Sequence, residues 1–379
     1  MQRREFINRV LFRLQGRVIH LKPKGAVKGR VLFSYVTLPF LRPEPWNSHT
    51  NSWEGREMAM AFLERGYAVD VIDSTNQVFT PKGRYAFFID NNINMERLAP
   101  LLNPDCIKIL HITNAHPHFQ NEAAQKRADD LKKRKGVSLQ PDRPVPETKA
   151  IEIADEATAL GNAFTIGTYT YAGKPITRMP ISTTHQYESP LHKDFDAIRN
   201  SFVWIGGAGL LHKGLDLILE AFAGMPGYHL TICGKVQPTD HLAQIYAREL
   251  YNIPNITTLG QIDMGSDTFK KICNDSLGVI SASCSEGGGG SVVLGMHAGL
   301  IPVVNVETSV DIGDFGIELK ESTVDEIQRA VKRLSAEPKE ELERRAISAW
   351  NFARAHHTRE LFASNYRAFV DTLLVKYKK

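Results

Sequence analysis

The sequence predicts an α/β protein with two doubly wound parallel sheets, and three observations lead there. At 379 residues, 42% hydrophobic and 23% charged, the chain can bury a large core and is too long for one ordinary domain. From Val31 onward, short runs rich in branched residues alternate with stretches whose apolar residues stand three and four apart, the pattern of strand, helix, strand units. That alternation lapses in the proline-punctuated stretch "GKPITRMPISTTHQYESPLHKD" and restarts after Asn200, so a linker divides two units.

The first thirty residues stand apart. They carry nine Lys or Arg against the single acid Glu5, a charge of +8 in a chain of net +4, which leaves the remainder at −4. Phe6, Ile7, Val10, Leu11 and Leu14 recur at helical spacing among the arginines. A basic amphipathic helix over residues 3–17 could lie on an anionic membrane surface or dock as an ordinary solvated helix on the body. Nucleic acid is not an expected partner, because the rest of the chain is slightly acidic and lacks a basic stripe. No apolar run is long enough to span a bilayer, and the amino end lacks the continuous apolar core of a secretion signal. Cys106, Cys233, Cys273 and Cys284 are widely spaced, without a Cys-x-x-Cys pair, and read as buried thiols. The expected location is the cytoplasm, peripheral at the inner face of the membrane if the basic helix binds there.

In the first unit, strands are expected at Val31–Thr37, Ala68–Asp73, Tyr85–Asp90, Cys106–Thr113 and Phe164–Ile166. Between the first two, "NSWEGREMAMAFLERG" predicts a helix capped by Asn51 and stopped at Gly66. In the second unit "FVWIGG", "YHLTICG", "NITTLG", "LGVISA" and "IPVVNV" read as strands. The intervening helices are "KGLDLILEAFAG", "DHLAQIYARELY", "DTFKKICND" and "GGSVVLGMHAG". Val324 to Tyr377 is helical.

The chemistry concentrates where strands feed helices in the second unit. "SEGGGGSVVLGMHAGLIPVV" places four glycines between Glu286 and a helix, at the carboxyl edge where open parallel sheets bind ligands. Bare backbone at a helix amino end lets an anion approach unpaired N–H groups, although polyglycine also serves as a plain flexible turn. In "IGGAGLLHKGLDLILEAF", Lys213 precedes a helix, where a cation opposes the helix dipole by about 0.3–1 kcal/mol. Removing an unpartnered Lys213 should therefore leave the fold no less stable.

In order and spacing, "GGAGLLHKGLDLILEAF", "LTICG", "NITTLGQID" and "SEGGGGSVVLGMHAGLIPVV" resemble the donor domain of retaining GT-B glycosyltransferases of the family-four (glycosyl transferases group 1) type. The likeness runs over Phe202 to Val304 and, more loosely, through "HTNSWEGREMAMAFLERGYAVDVID" and "HITNAHPHFQNEAAQKRADDLKKRKG" in the first half. It implies two Rossmann-like domains facing a cleft: an acceptor-side domain over 31–190, a donor domain over 191–355, and a carboxy-terminal helix over 356–379 packing back on the first. A nucleotide-sugar donor and a glycan or lipid-linked acceptor follow from it, with no cofactor and no metal. No Asp-x-Asp motif argues for one.

Residue by residue, Lys213 matches the lysine that contacts the donor diphosphate, and Glu286 the glutamate that holds sugar hydroxyls. Gly287, Gly288, Gly289 and Gly290 match the loop whose amides meet sugar and phosphate, and Gly207, Gly234, Lys235 and Ser291 complete the donor side. Two family positions depart. The arginine five residues before the lysine falls at Ala208, and the ribose-holding glutamate falls at Leu294. His297, one turn on, is either a ribose contact or a packed helix histidine. The first-domain histidine near the reacting sugar would be His116, with His118 and His111 as alternatives. A catalytically silent GT-B module that binds a glycan or protein partner is the competing reading. A dinucleotide-dependent oxidoreductase fits less well, because "GGAGLLHKG" lacks the third glycine of its fingerprint. A phosphorylase-type enzyme would need a pyridoxal lysine that the sequence does not single out.

Overall fold

The computed structural model describes residues 16–43 and 49–379. The basic helix expected over 3–17 falls almost entirely outside the described residues. Among those described, no helix is long and apolar enough to cross a membrane.

The first domain is a seven-stranded sheet of order β1-β3-β2-β4-β5-β6-β7. Its strands are β1 (Ile19–Leu21), β2 (Gly29–Tyr35), β3 (Tyr67–Asp73), β4 (Phe87–Asp90), β5 (Ile107–Ile112), β6 (Glu156–Ala159) and β7 (Ile176–Arg178). All pairs are parallel except β1 on β3. The second is a six-stranded, wholly parallel sheet of order β10-β9-β8-β11-β12-β13. It comprises β8 (Ser201–Gly206), β9 (His229–Gly234), β10 (Ile256–Gly260), β11 (Gly278–Ser281), β12 (Ile301–Asn305) and β13 (Ile317–Leu319). Helices cover both faces, so the central strands are buried throughout and read as continuous apolar runs.

Strand order reverses between β2 and β4 in the first sheet and between β8 and β11 in the second. These are the switch points where the two chain directions part and leave a crevice beyond the strand ends.

Several local expectations change. Phe164–Ile166 is not a strand but part of the helix Ala163–Gly167, because the Asn162 side chain accepts from the Phe164 amide and caps it. The sheet instead continues through β6, whose "EATA" is buried without any β-branched residue except Thr158. The helix Thr50–Leu63 is capped by His49 rather than Asn51. "DHLAQIYARELY" divides into His241–Ile245 and Ala247–Tyr251, separated at buried Tyr246, whose hydroxyl donates to Glu220. Strand β1, within the thirty residues set apart as an amino-terminal segment, belongs to the first sheet. All four cysteines are free and buried.

The chain crosses between domains twice. The linker joins β7 to the second domain, and the helix Lys339–His356 hands the chain back to the helix Arg359–Tyr377, which packs on Thr50–Leu63. Phe362, Tyr366, Phe369 and Val370 are buried there. Arg367 reaches Glu64 at 2.6 Å and Glu57 at 3.0 Å, and the Tyr377 hydroxyl donates to Glu156 at 2.8 Å. The two crossovers are tied by His357, whose ring Nδ1 lies 3.1 Å from the Ile181 carbonyl.

Candidate functional site

At the switch point of the second sheet, the loop after β8 and the loop after β11 run side by side. Gly214 opens the helix Leu215–Ala223 in a left-handed conformation (φ 70°), and Lys213 immediately precedes it. The ammonium of Lys213 lies 2.5 Å from Glu286 Oε1, and the Ser283 hydroxyl donates to the same oxygen at 3.1 Å. Arg143, from the first domain, places Nη1 3.6 Å from it. Burial of Glu286 opposes ionisation, but Lys213, Arg143 and His212 outweigh it and hold the carboxyl at about 2. Lys213 is thus not the lone helix-start cation that the sequence suggested: with side-chain exposures of 17% and 14%, the two groups form a half-sequestered ion pair.

His212, beside Lys213, is buried, and its Nε2–H donates to the Ser285 carbonyl at 2.5 Å. Burial lowers its pKa to about 4, so the ring is neutral at pH 7 and serves to hold the two loops together.

From the first domain, His49, at the head of the helix Thr50–Leu63, comes to the same place. Its Nδ1 accepts from the Asn51 amide at 3.1 Å. The residue keeps a solvent-exposed face, yet crowding around the ring, followed by the charge of Lys213, lowers its pKa, and Arg143 and Glu286 also act on it. His116 faces elsewhere. It caps the helix Pro117–Lys135, its Nε2 lies 3.1 Å from the Tyr171 hydroxyl, and its ring packs edge-on against Tyr169 and Tyr171. His118 sits between Glu122 and Glu147 on the surface. His111 is a core residue 2.8 Å from the Thr158 hydroxyl. Of the histidines weighed from the sequence, none meets the Lys213–Glu286 pair. His49 lies close enough to feel the charges of both, and the signal for it was its place at the head of "HTNSWEG".

The glycines are used by the protein itself. A Cβ on Gly287 would stand 2.2 Å from the Thr113 carbonyl oxygen, and one on Gly288 would meet the Gly161 amide at 3.2 Å. Gly288 and Gly289 also hold φ of 122° and 50°, values that favour glycine. The Thr165 hydroxyl donates to the Glu286 carbonyl at 3.1 Å and lies 2.7 Å from the Ser309 hydroxyl. Bare backbone here admits the first domain's backbone. Gly290 and Ser291 begin the helix Gly290–His297 and are partly exposed.

The remaining positions divide. Gly207 is open, and Lys235 is exposed beyond β9. Gly234 is closed in, since a Cβ there would meet the Gly206 carbonyl at 2.5 Å. Leu294 is 6% exposed within the core. His297 is a packed residue, its Nε2–H donating to the His357 carbonyl at 2.9 Å. A groove of about 480 Å³ between the domains, lined by Lys126, Arg127, Arg134 and Thr323, lies apart from this cluster.

No family model and no curated protein sequence matches this chain. Among solved structures, it superposes on sucrose-phosphate synthase of Thermosynechococcus elongatus with a TM-score of 0.63 at 14% identity, over 92% of this chain and 99% of that one. The fold is GT-B. HepE of Anabaena, solved with UDP and glucose, gives 0.54 at 12% identity over 91% of this chain and all of that one. WaaG, a glycosyltransferase involved in lipopolysaccharide biosynthesis, gives 0.52 at 12% over 89% and 98%. In this GT-B chain, Lys213 and Glu286 stand where the second sheet reverses and face the first domain across the interdomain boundary.

Proposed function

We propose that the protein is a retaining, metal-independent glycosyltransferase that moves a sugar from a nucleotide-sugar donor to a hydroxyl of a glycan or lipid-linked acceptor, in surface polysaccharide or glycolipid synthesis. The observation that carries the reading is the Lys213–Glu286 pair at the switch point of a GT-B fold. In the reaction the bond from the sugar's anomeric carbon to the terminal phosphate oxygen breaks, and the acceptor oxygen bonds to that carbon on the same face. The acceptor's proton passes to the departing phosphate.

Charge develops on the leaving oxygen, so a fixed ammonium at Lys213 lowers the barrier by stabilising it. Glu286, ionised at neutral pH, accepts hydrogen bonds from sugar hydroxyls and orients the ring. His49, whose pKa burial and then the charge of Lys213 lower, is the first-domain imidazole that would contact the sugar or acceptor. With Leu294 buried, ribose is held without the usual carboxylate, and the base lies toward Gly234, Lys235 and Gly260.

The test is a thermal-shift panel with UDP, GDP, ADP and CMP, followed by nucleotide release from the matching sugar donor with and without acceptor. A ligand at a hundred times its Kd stabilises the fold by about 2.7 kcal/mol. Acceptor-dependent release supports transfer. The packing of Thr113 and Gly161 onto Gly287 and Gly288 favours a second reading, the silent GT-B module. Binding without turnover by any common nucleotide sugar would establish that one. A peripheral membrane role rests on residues 3–17, and loss of flotation with acidic liposomes on deleting residues 1–15 is its test.

A further inference from the structure

We propose that the arm of the first domain over residues 138–149 completes the anion site of the second domain, Arg143 supplying the cation that Ala208 does not. This rests on the reading of Lys213 as the diphosphate contact and adds a residue from the opposite domain to it.

The arm leaves the helix Pro117–Lys135 at Gly136, runs without regular structure, and is fastened back to that helix. The Gln120 side chain donates to the Arg143 carbonyl at 3.0 Å, and Asn121 exchanges two hydrogen bonds with Val145 at 2.8 and 3.0 Å. Its tip is fastened to the other domain. The Asp142 carboxylate accepts from the amides of Leu211 at 3.0 Å and His212 at 3.2 Å, in the loop that carries Lys213. Arg143 is therefore held from both sides.

Its stem crosses Gly209 so closely that a Cβ there would stand 2.3 Å from Arg143 Cδ. Gly209 also has φ of 86°, so glycine is required twice at this position. The guanidinium then reaches the Glu286 oxygen that Lys213 already binds. Two cations thus converge on one carboxylate oxygen, while the neighbouring Asp142 carboxylate accepts from backbone amides and pairs with neither cation, so a diphosphate would meet an ammonium and a guanidinium that share a single partner. Ala208, one residue before Gly209 on the loop that carries Lys213, is exposed, so the loop has room for an arginine there. In this chain the guanidinium beside Glu286 comes from the facing domain. One consequence is that the site is complete only while the arm stays docked, and a bound diphosphate favours the closed arrangement.

The experiment measures, by calorimetric titration, binding of whichever of UDP, GDP and ADP gives the largest thermal shift. Arg143→Met keeps the stem across Gly209 and removes the charge. Loss of a charge-assisted contact predicts binding weaker by about tenfold to a hundredfold, similar to Lys213→Ala, and Ala208→Arg added to Arg143→Met should recover most of it. Unchanged binding in Arg143→Met beside a weakened Lys213→Ala overturns the inference and leaves the Lys213 reading standing. Weakening that Ala208→Arg does not relieve overturns the exchange of one cation for the other. If the native protein binds none of the three nucleotides, the Lys213 reading falls and this inference falls with it.

Discussion

Lys213→Met isolates the charge in the central ion pair while keeping the side chain's stem. Glu286 is held at about 2 against an ordinary 4.5, a difference worth on the order of 3 kcal/mol in favour of the ionised, folded form. Burial works against that figure, and Lys213 is the largest of the groups that overcome it. Removing it should cost about 2 kcal/mol at pH 7, since Arg143 at 3.6 Å and the Ser283 hydroxyl at 3.1 Å remain. The sign of the pH dependence follows. A depressed carboxyl pKa contributes stability that is complete above about 4.5 and is lost as pH falls toward 2. The native protein should therefore lose this increment over that window, while the variant, its Glu286 no longer depressed to the same degree, loses less. Urea unfolding of both proteins at pH 7, 4.5 and 2.5 reads the difference, which should be nearly the same at pH 7 and 4.5 and much smaller at pH 2.5. A gap that is absent at pH 7, or equally large at pH 2.5, refutes the pairing as a contributor to stability. The opposite expectation, that losing Lys213 leaves the fold no less stable, assumed a cation without a partner.

Three further substitutions probe Leu294 and the glycine loop. Leu294→Glu should lower the melting temperature, because it puts a carboxylate into a core position only 6% exposed at a cost of several kcal/mol. It should not tighten nucleotide binding, and a gain in affinity without loss of stability would place ribose beside this helix after all. Gly287→Ala should destabilise by about 1–3 kcal/mol through the clash with Thr113, whereas Gly290→Ala, whose added carbon meets nothing nearer than Ile181 at 3.4 Å, should be close to neutral. Equal chemical-denaturation midpoints for the two alanine variants would dismiss the interdomain packing of the glycine loop.

Periodicity alone determined the two sheets, the linker between them and most of the second domain's elements. A strand buried on both faces must be apolar throughout, and its covering helix must repeat at three and four residues. Where those local rules had no purchase, they misled. "EATA" in β6 is a strand because its neighbours pair with it, and Phe164–Ile166 is helical because Asn162 caps it. The positions of Lys213 and Glu286 were legible as strand-to-helix junctions. Their ion pair was not, since 73 residues separate them in the chain and only the adjacency of β8 and β11 brings the two loops together.

Tertiary structure decided the rest. It brings His49 rather than His116 near Lys213, and His116 packs against Tyr169 and Tyr171, because where a ring lies depends on packing partners remote in sequence. Arg143 faces Glu286 because its arm is fastened at once to Asn121 and to the amides of Leu211 and His212. Four consecutive glycines announce that something approaches the backbone closely. Whether that is an anion or another backbone is a question of three-dimensional neighbourhood, and here Thr113 and Gly161 occupy the space that a side chain would have filled.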